Sequence, residues 1–324
     1  MKQYKKKLKI LVVADPLENF NPQRETSLWI MEAAQKRGHQ IYASEPQSLS
    51  ALGKELFAHA QKLNILGIGK NSWWKVLASE RVSLKNFDAI LLRKDPPFDL
   101  AYLRHLELLD LLSEQVFMMN HPRGILLANE KIFPLRYPDL IPDTLISARY
   151  DELHDFVRRH PQGVIVKPIG SSGGRGIFWV PSLKSPNLKV ILETATEEFS
   201  RHVIAQAYVP EIKKGDKRIM LLGEQCLGAF IRRPGAGEHR ANLHAGGSFR
   251  PVKMTKRDQE IVKTLIPDLL ALGLHFVGLD LIGDYLTEVN VTSPMGIAEL
   301  GDVGVNGTAG LIVDYLEEQV MHKC

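Results

Sequence analysis

"FVGLDLIGDYLTEVNVTSP" (276–294) is the stretch from which the rest of the chain can be read. It has the texture of a buried β-hairpin, yet Asp280, Glu288 and Asn290 stand among Leu, Ile and Val. A buried carboxylate is strongly unfavourable unless something pairs with it. Side chains alternate across a strand, so the length of the turn decides which of the three share a face. A two-residue turn at Gly283-Asp284 sets Asp280 opposite Thr287 and sends Glu288 to the other face. A three-residue loop over 283–285, or its bulged equivalent, pairs Asp280 with Glu288 and Gly278 with Asn290. That register gathers Gly278, Asp280, Glu288 and Asn290 on one face and Leu279, Leu281, Val289 and Val291 on the other. It separates polar from apolar, and it is the register expected here.

Two carboxylates directly opposite on neighbouring strands repel across about 5 Å. A divalent cation taking oxygens from Asp280, Glu288 and the Asn290 amide relieves the conflict. A set of oxygen donors without His or Cys selects Mg²⁺ or Mn²⁺ over zinc. Mg²⁺ completes its shell with water and substrate phosphates, so a nucleotide is expected nearby. The simpler alternative is a solvent-facing strand with ordinary polar residues. Thr292-Ser293-Pro294 prolong the polar cluster and weigh against it.

"VKPIGSSGGRG" (166–176) sets Lys167 at a strand end before a loop holding Gly170, Gly173, Gly174 and Gly176. Such a loop exposes successive backbone N–H groups that can cradle phosphates. It is no Walker A motif, because the lysine precedes the glycines; GxGxxG does not follow the first strand either. By itself it also fits a plain hairpin loop. Lys131 in "NEK" also reads as a surface lysine when taken alone. Lys217, Arg218, Arg232, Arg233 and Arg240 form the densest basic stretches beyond the N-terminus, suited to a charged surface or to clamping phosphates and a developing anion. The glycines of 235–247 suit a loop that closes over the site.

The chain of 324 residues can bury a large core and divide into two or three domains. Its net charge of +4 comes from five lysines in the first nine residues (Lys2, Lys5, Lys6, Lys7, Lys9); the remainder carries 36 basic against 37 acidic residues. A neutral body argues against a nucleic-acid partner. No apolar stretch has the length of a membrane span, and "KKKLKILVVA" reads as a first strand rather than a signal peptide. Cys226 and Cys324 lie far apart without metal-ligand spacing, as expected of a cytoplasmic protein.

Strands at 8–14, 39–44, 87–93 and 116–120 alternate with helices at 26–38 and 100–115. This alternation predicts an α/β domain over 1–122 built on a parallel sheet, with Thr26 or Ser27 near the first helix cap. The segment 48–86 shows no clear pattern. Beyond it the texture turns to short strands and hairpins: 163–169, 177–180, 203–210, and a hairpin over 216–234 turning at Gly223-Glu224. A helix at about 255–272 leads into the opening hairpin, and an amphipathic helix ends the chain.

Lys131, Lys167 with its glycine loop, "GDKR" (215–218), Arg232 and the D-x7-E-x-N hairpin together resemble the ATP-grasp fold. With "RKDPPFD" (93–99), "FVGLD" (276–280), "TEVNVTSP" (287–294) and the spacing of "RPGAGEHRANLHAGG", the chain is similar to the bacterial glutathione synthetases over nearly its whole length. The resemblance implies a pre-ATP-grasp domain (1–122), a central ATP-grasp subdomain with the Gly-rich loop (123–202) and a C-terminal subdomain with the metal hairpin (203–324), with mixed and antiparallel sheets. It implies an ATP-dependent ligase joining glycine to γ-glutamylcysteine through an acyl phosphate. Lys131, Lys167, Gly173 and Gly174 would hold phosphates, and Gln206, Tyr208 and Val209 would lie by adenine. Asp216 would contact nucleotide or substrate, and Arg218, Arg232 and Lys167 would act on the transferring phosphoryl group. Asp280, Glu288 and Asn290 would hold two Mg²⁺ (or Mn²⁺) ions, in a homo-oligomer, a tetramer by resemblance. Ala298 stands where the family places an arginine, the glycine loop lacks the family's acidic, Met-containing form, and "SFRPVK" (248–253) is also unlike it. A related carboxylate–amine ligase acting on another peptide or amino acid is therefore the second reading.

Overall fold

The apolar run Lys9–Ala14 forms strand β1, whose five residues after Lys9 are buried, and it anchors a parallel core with β2 (Gln40–Ser44), β6 (Ala89–Arg93) and β7 (Phe117–Met119). The computed structural model describes residues 6–170, 173–233 and 248–323. The expectations placed on Lys2, Lys5, Ser171, Ser172, Arg240, the 235–247 glycines and Cys324 fall outside these residues.

The segment without sequence pattern is folded. It contributes β3 (Leu49–Leu52), β4 (Glu55–Ile65) and β5 (Trp74–Ser83), which pair antiparallel and extend the sheet to the order β3-β4-β2-β1-β6-β7, with β5 alongside β4. The first sheet is thus mixed rather than purely parallel. The hydrophobic signal is missing because most of β5 is exposed on both faces and gains little from alternation. Arg81 lies over the Phe57 ring at 3.7 Å and covers part of this ribbon.

Helix α1 (Thr26–Lys36) is capped by Glu25, whose carboxylate accepts the Ser27 N–H at 2.9 Å, and not by Thr26 or Ser27. Both of those are buried. The Thr26 hydroxyl instead accepts the Gly296 N–H at 3.2 Å, tying the first helix to the far end of the chain. Helix α2 (Leu100–Asp110) stops short of the predicted 115, with Asp99 as its cap, and α3 (Pro122–Leu127) follows β7.

A second sheet, ordered β10-β9-β11-β8, is wholly antiparallel. It is built from β8 (Thr144–Ser147), β9 (Val164–Pro168), β10 (Phe178–Val180) and β11 (Val203–Ala207). Helices α4 (Tyr150–Arg159) and α5 (Leu188–Ala195) complete a separate small core with Leu153, Val164, Val166, Leu192 and Val203. The Gly-rich loop joins β9 to β10 and is therefore a hairpin loop, with no helix behind it.

The third sheet runs β14-β13-β12-β15-β16, from β12 (Asp216–Leu222), β13 (Gln225–Arg233), β14 (Ser248–Pro251), β15 (Phe276–Ile282) and β16 (Tyr285–Asn290). Helix α6 (Lys256–Ala271) packs Ile261, Leu265 and Leu269 into the core shared with Leu279, Val289 and Val291. Its start carries a capping box: Thr255 accepts the Asp258 N–H, and Asp258 accepts the Thr255 N–H. Lys217 is spent here, bonded to Asp258 at 2.5 Å, and does not join the basic surface that its position in "GDKR" suggested. Helices α7 (Ile297–Asp302) and α8 (Thr308–Lys323) return to the first sheet, where Ile312, Val313 and Leu316 join Leu28, Ile30 and Met31.

Candidate active site

The decisive hairpin adopts the bulged register. Gly278 pairs with Asn290, Asp280 with Glu288, and Ile282 with Tyr285, with the shift just after Asp280. The turn is therefore the two residues Gly283-Asp284, with Gly283 at φ +58°, and the extra residue on the return strand is Thr287. The Thr287 hydroxyl donates to the Asp280 carbonyl at 3.0 Å and holds the bulge. Leu279, Leu281, Val289 and Val291 all point into the core.

On the polar face, strand pairing sets Arg218 of β12 beside Asp280 of β15, and Asp216 beside Arg232 of β13. Arg218 meets Asp280 as a fork: Nε donates to Oδ1, and Nη2 to Oδ2 at 2.8 Å. Arg232 Nη2 lies 3.0 Å from the same Oδ2, and its Nε and Nη2 also grip Asp216 at 2.9 and 2.5 Å. The Asn290 amide donates to Asp280 Oδ2 at 3.2 Å. Burial alone would push the Asp280 carboxyl up, but the two guanidiniums hold it well below the usual carboxylate range. Arg232 is correspondingly raised, the pull of Asp280 and Asp216 exceeding the effect of burial.

Glu288 faces the second sheet. Its Oε1 stands 3.8 Å from Lys131 Nζ and 3.9 Å from Lys167 Nζ. Burial lowers the Lys167 ammonium and Lys131 adds to this, while Glu288 opposes both. Lys167 also donates to the Gln206 amide oxygen at 3.3 Å, and Gln206 is fixed in turn by the Thr144 hydroxyl at 2.9 Å. The like charges of Asp280 and Glu288 are thus offset by four basic side chains, where the sequence had pointed to a cation alone.

Tyr208 lies tilted against Trp179 with ring centres 5.4 Å apart, and Val209 beside it is buried. Gly173 and Gly174, at φ +65° and +73°, hold the left-handed conformation that lets a loop turn its N–H groups outward. Arg233 is exposed at the end of β13, away from the Asp280 cluster.

One functional residue escaped the sequence reading. The Glu130 Oε1 atom accepts the Val291 N–H (3.1 Å), the Thr292 N–H (3.2 Å) and the Thr292 hydroxyl (2.8 Å), and the Glu130 carbonyl accepts the Val289 N–H. It stitches the Lys131 segment to the return strand of the hairpin and so sets where Lys131 points. Its only signal was its place in "NEK", beside the more conspicuous lysine.

Among the described residues no group of three His, Cys, Asp or Glu is arranged to hold a metal. The set at hand is two carboxylates and an amide. These are hard oxygen donors that suit Mg²⁺ or Mn²⁺ only when a polyphosphate supplies further ligands. Both lysines stop short of hydrogen-bond contact with Glu288, which leaves its carboxylate to such an ion, whereas the Asp280 oxygens, engaged by Arg218, Arg232 and Asn290, would have to be shared with it.

The face is tight at Gly278. A Cβ there would lie 3.1 Å from Arg218 Nη1 and 3.2 Å from its Cδ. We expect Gly278→Ala to push the guanidinium off Asp280 and lower kcat about 10- to 100-fold, with a much smaller effect on stability. An unchanged kcat would show that the position of Arg218 is not critical.

Two family models match the chain: the prokaryotic glutathione synthetase N-terminal domain over residues 8–125, and the ATP-grasp domain of the same enzymes over 130–304. The glutathione synthetase of Gloeobacter violaceus is 39% identical over 317 residues, covering 96% of this chain and 97% of its own. That of Escherichia coli is 36% identical, covering 98% of this chain and all of its own. Among solved structures, the D-cycloserine synthetase DcsG shares the fold with a TM-score of 0.64 at 15% identity, over 96% of this chain and 99% of that one. The ATP-grasp ligase PsnB does so at 0.64 and 17%, over 96% and 98%. The α/β fold with mixed and antiparallel ATP-grasp sheets is thus established. The chain belongs to the prokaryotic glutathione synthetase family, ATP-dependent carboxylate–amine ligases of glutathione synthesis.

Proposed function

We propose that the chain joins glycine to γ-glutamylcysteine through an acyl phosphate, on the face shared by Arg218, Asp280, Arg232 and Glu288. The observation that carries this is the Arg218–Asp280–Arg232 fork opposite Lys131 and Lys167, five buried charged groups converging from two sheets and the turn that carries Lys131. Phosphoryl transfer asks for positioning and charge neutralisation more than for a covalent nucleophile, and this face offers both.

In this reading Lys131, Lys167 and the backbone of Gly173 and Gly174 bind the phosphates. Gln206, Tyr208 and Val209 line the adenine side. Arg218 and Arg232 donate to the transferring phosphoryl oxygens, with Lys167 beside them, while Asp216 orients Arg232. Asp280, Glu288 and Asn290 would hold Mg²⁺ or Mn²⁺, two ions by family resemblance, which would supply neutralisation of phosphate charge. The amine of glycine then attacks the acyl carbon, the new C–N bond replaces the C–O bond to phosphate, and the ammonium proton is lost to solvent.

The same reading divides the chain at 1–122, 123–202 and 203–324; the first sheet lies within the first segment and the third within the last, while the second draws β11 (Val203–Ala207) from just beyond the second boundary. It also includes a homo-oligomer, a tetramer by resemblance, in the cytoplasm, with no nucleic-acid or membrane partner. No helix among the described residues is long and apolar enough to cross a membrane, and Cys226 is a free thiol.

Ala298 is buried on α7, so no charged side chain from that position reaches an acceptor. A panel of dipeptides and amines with Mg-ATP, read by product mass, tests the substrate assignment. Glutathione should form with the highest kcat/KM; a different dipeptide or amine emerging as the best substrate would contradict it.

A further inference from the structure

The chain leaves β1 toward β2 on one side and returns to β6 on the other, so the sheet order reverses between β1 and β6. Open α/β sheets bind ligands outside the carboxyl ends of their strands at such a reversal. Here the crevice lies beyond Ala14 and Arg93, which pair at those ends. It brings together three carboxylates, Asp15, Glu25 and Asp95, and two cations, Arg93 and Lys94.

Most of these groups are engaged. Asp15 binds Lys94 Nζ at 2.8 Å and accepts the Asp95 N–H at 2.8 Å. Glu25 caps α1. The Asp95 side chain, by contrast, makes no hydrogen bond or ion pair among the described residues, and the buried Ser293 hydroxyl near it is itself unbonded. Enclosure and the neighbouring Glu25 push its carboxyl up to about 6, against the pull of Arg93, yet the residue keeps an open side to solvent.

Arg93 presents the opposite imbalance. Its side chain is 2% exposed and Nε donates to the Ser27 hydroxyl at 2.9 Å. Nη1 and Nη2 find no acceptor among the described residues, and the nearest carboxylate oxygen, on Glu25, stands 3.7 Å from Nη2. A surplus negative charge beside unfilled guanidinium donors is the complement of an α-amino acid, whose ammonium and carboxylate sit on one carbon. A small cavity lined by Pro96, Phe98, Lys131 and Thr292 links the segment after Asp95 to the lysine of the reaction centre.

Resting on the ligase reading above, we propose that this crevice recognises the α-amino-acid head of the γ-glutamyl acceptor, Asp95 taking the ammonium and the Arg93 Nη groups the α-carboxylate. The head lies at the end of the acceptor remote from the carboxylate that is phosphorylated. Both residues therefore select the substrate without touching the reacting atoms.

The test measures kcat/KM, at saturating Mg-ATP and glycine, for three acceptors: γ-glutamylcysteine, glutaryl-cysteine without the ammonium, and 4-aminobutyryl-cysteine without the α-carboxylate. The intact protein is expected to lose roughly 10- to 100-fold on each truncated acceptor, mainly through KM. Asp95→Asn is expected to lose a similar factor on the two acceptors that carry the ammonium and to change glutaryl-cysteine by less than about threefold. The analogue arm for Arg93 needs no variant of that buried residue. Equal losses on all three acceptors in Asp95→Asn, or an intact protein that uses all three alike, overturns the inference while leaving the ligase reading in place. Glycine-dependent product from none of the three contradicts the ligase reading, and the head site falls with it.

Discussion

Asp280→Asn is expected to lower ADP release by at least about a thousandfold and to cost roughly 3–5 kcal/mol of stability. The carboxylate is the common partner of Arg218, Arg232 and Asn290, and its side chain is 7% exposed. Without its charge two buried guanidiniums share Asp216 alone, and the proposed metal loses its central ligand. The change nearly preserves shape, so the loss reports charge rather than packing. Acid supplies an independent check. Because the folded carboxyl is depressed, its stabilisation is complete above the unfolded value of about 4 and is lost as pH falls toward the folded value. The intact protein should therefore lose stability steeply below about pH 4, and the Asn variant less so. Thermal melts across that range measure both; parallel curves, or turnover within tenfold of normal, would remove Asp280 from the centre of the account.

Arg218→Lys keeps the charge and is expected to lower kcat by about a hundredfold or more, with KM for ATP changing far less. The guanidinium grips both Asp280 oxygens while Nη1 donates to the Met295 carbonyl at 3.0 Å, three directions that one ammonium cannot reproduce. Since the positive charge remains, folding should be largely retained. Steady-state kinetics decide the matter: a lysine variant within about threefold of normal kcat would mean that point charge suffices and the fork does not matter.

The hairpin was legible because it obeys two strict rules. Period-two alternation and the separation of polar from apolar residues left one sensible register, and the structure reaches it by a bulge at Thr287. The parallel core was legible from its continuous apolar runs. In the antiparallel ribbon over 49–83, β5 was not, because a strand solvated on both faces writes no alternation into its residues, although β4 does alternate, burying Leu56, Ala58, Ala60, Leu63 and Ile65. Glu25 hid as a cap because the better capping types, Thr26 and Ser27, stand directly after it and are drawn inside by long-range contacts. For the same reason the roles within "GDKR" could not be divided in advance. Neighbours on a strand face opposite ways, so Arg218 meets Asp280 while Lys217 is turned to Asp258. Glu130 and the Arg93 guanidinium, through its Nε, meet partners more than sixty residues away, and no local pattern announces them.

The central claim is that ATP activates the acceptor's carboxylate on the Arg218–Asp280–Arg232 face, and oxygen tracing tests it most directly. γ-Glutamylcysteine labelled with ¹⁸O in its cysteinyl carboxylate is turned over with Mg-ATP and glycine, and the phosphate is recovered for mass analysis. An acyl phosphate predicts one ¹⁸O in each phosphate released alongside glutathione. Phosphate free of label, or ADP released at the same rate without glycine or without the dipeptide, would contradict the account.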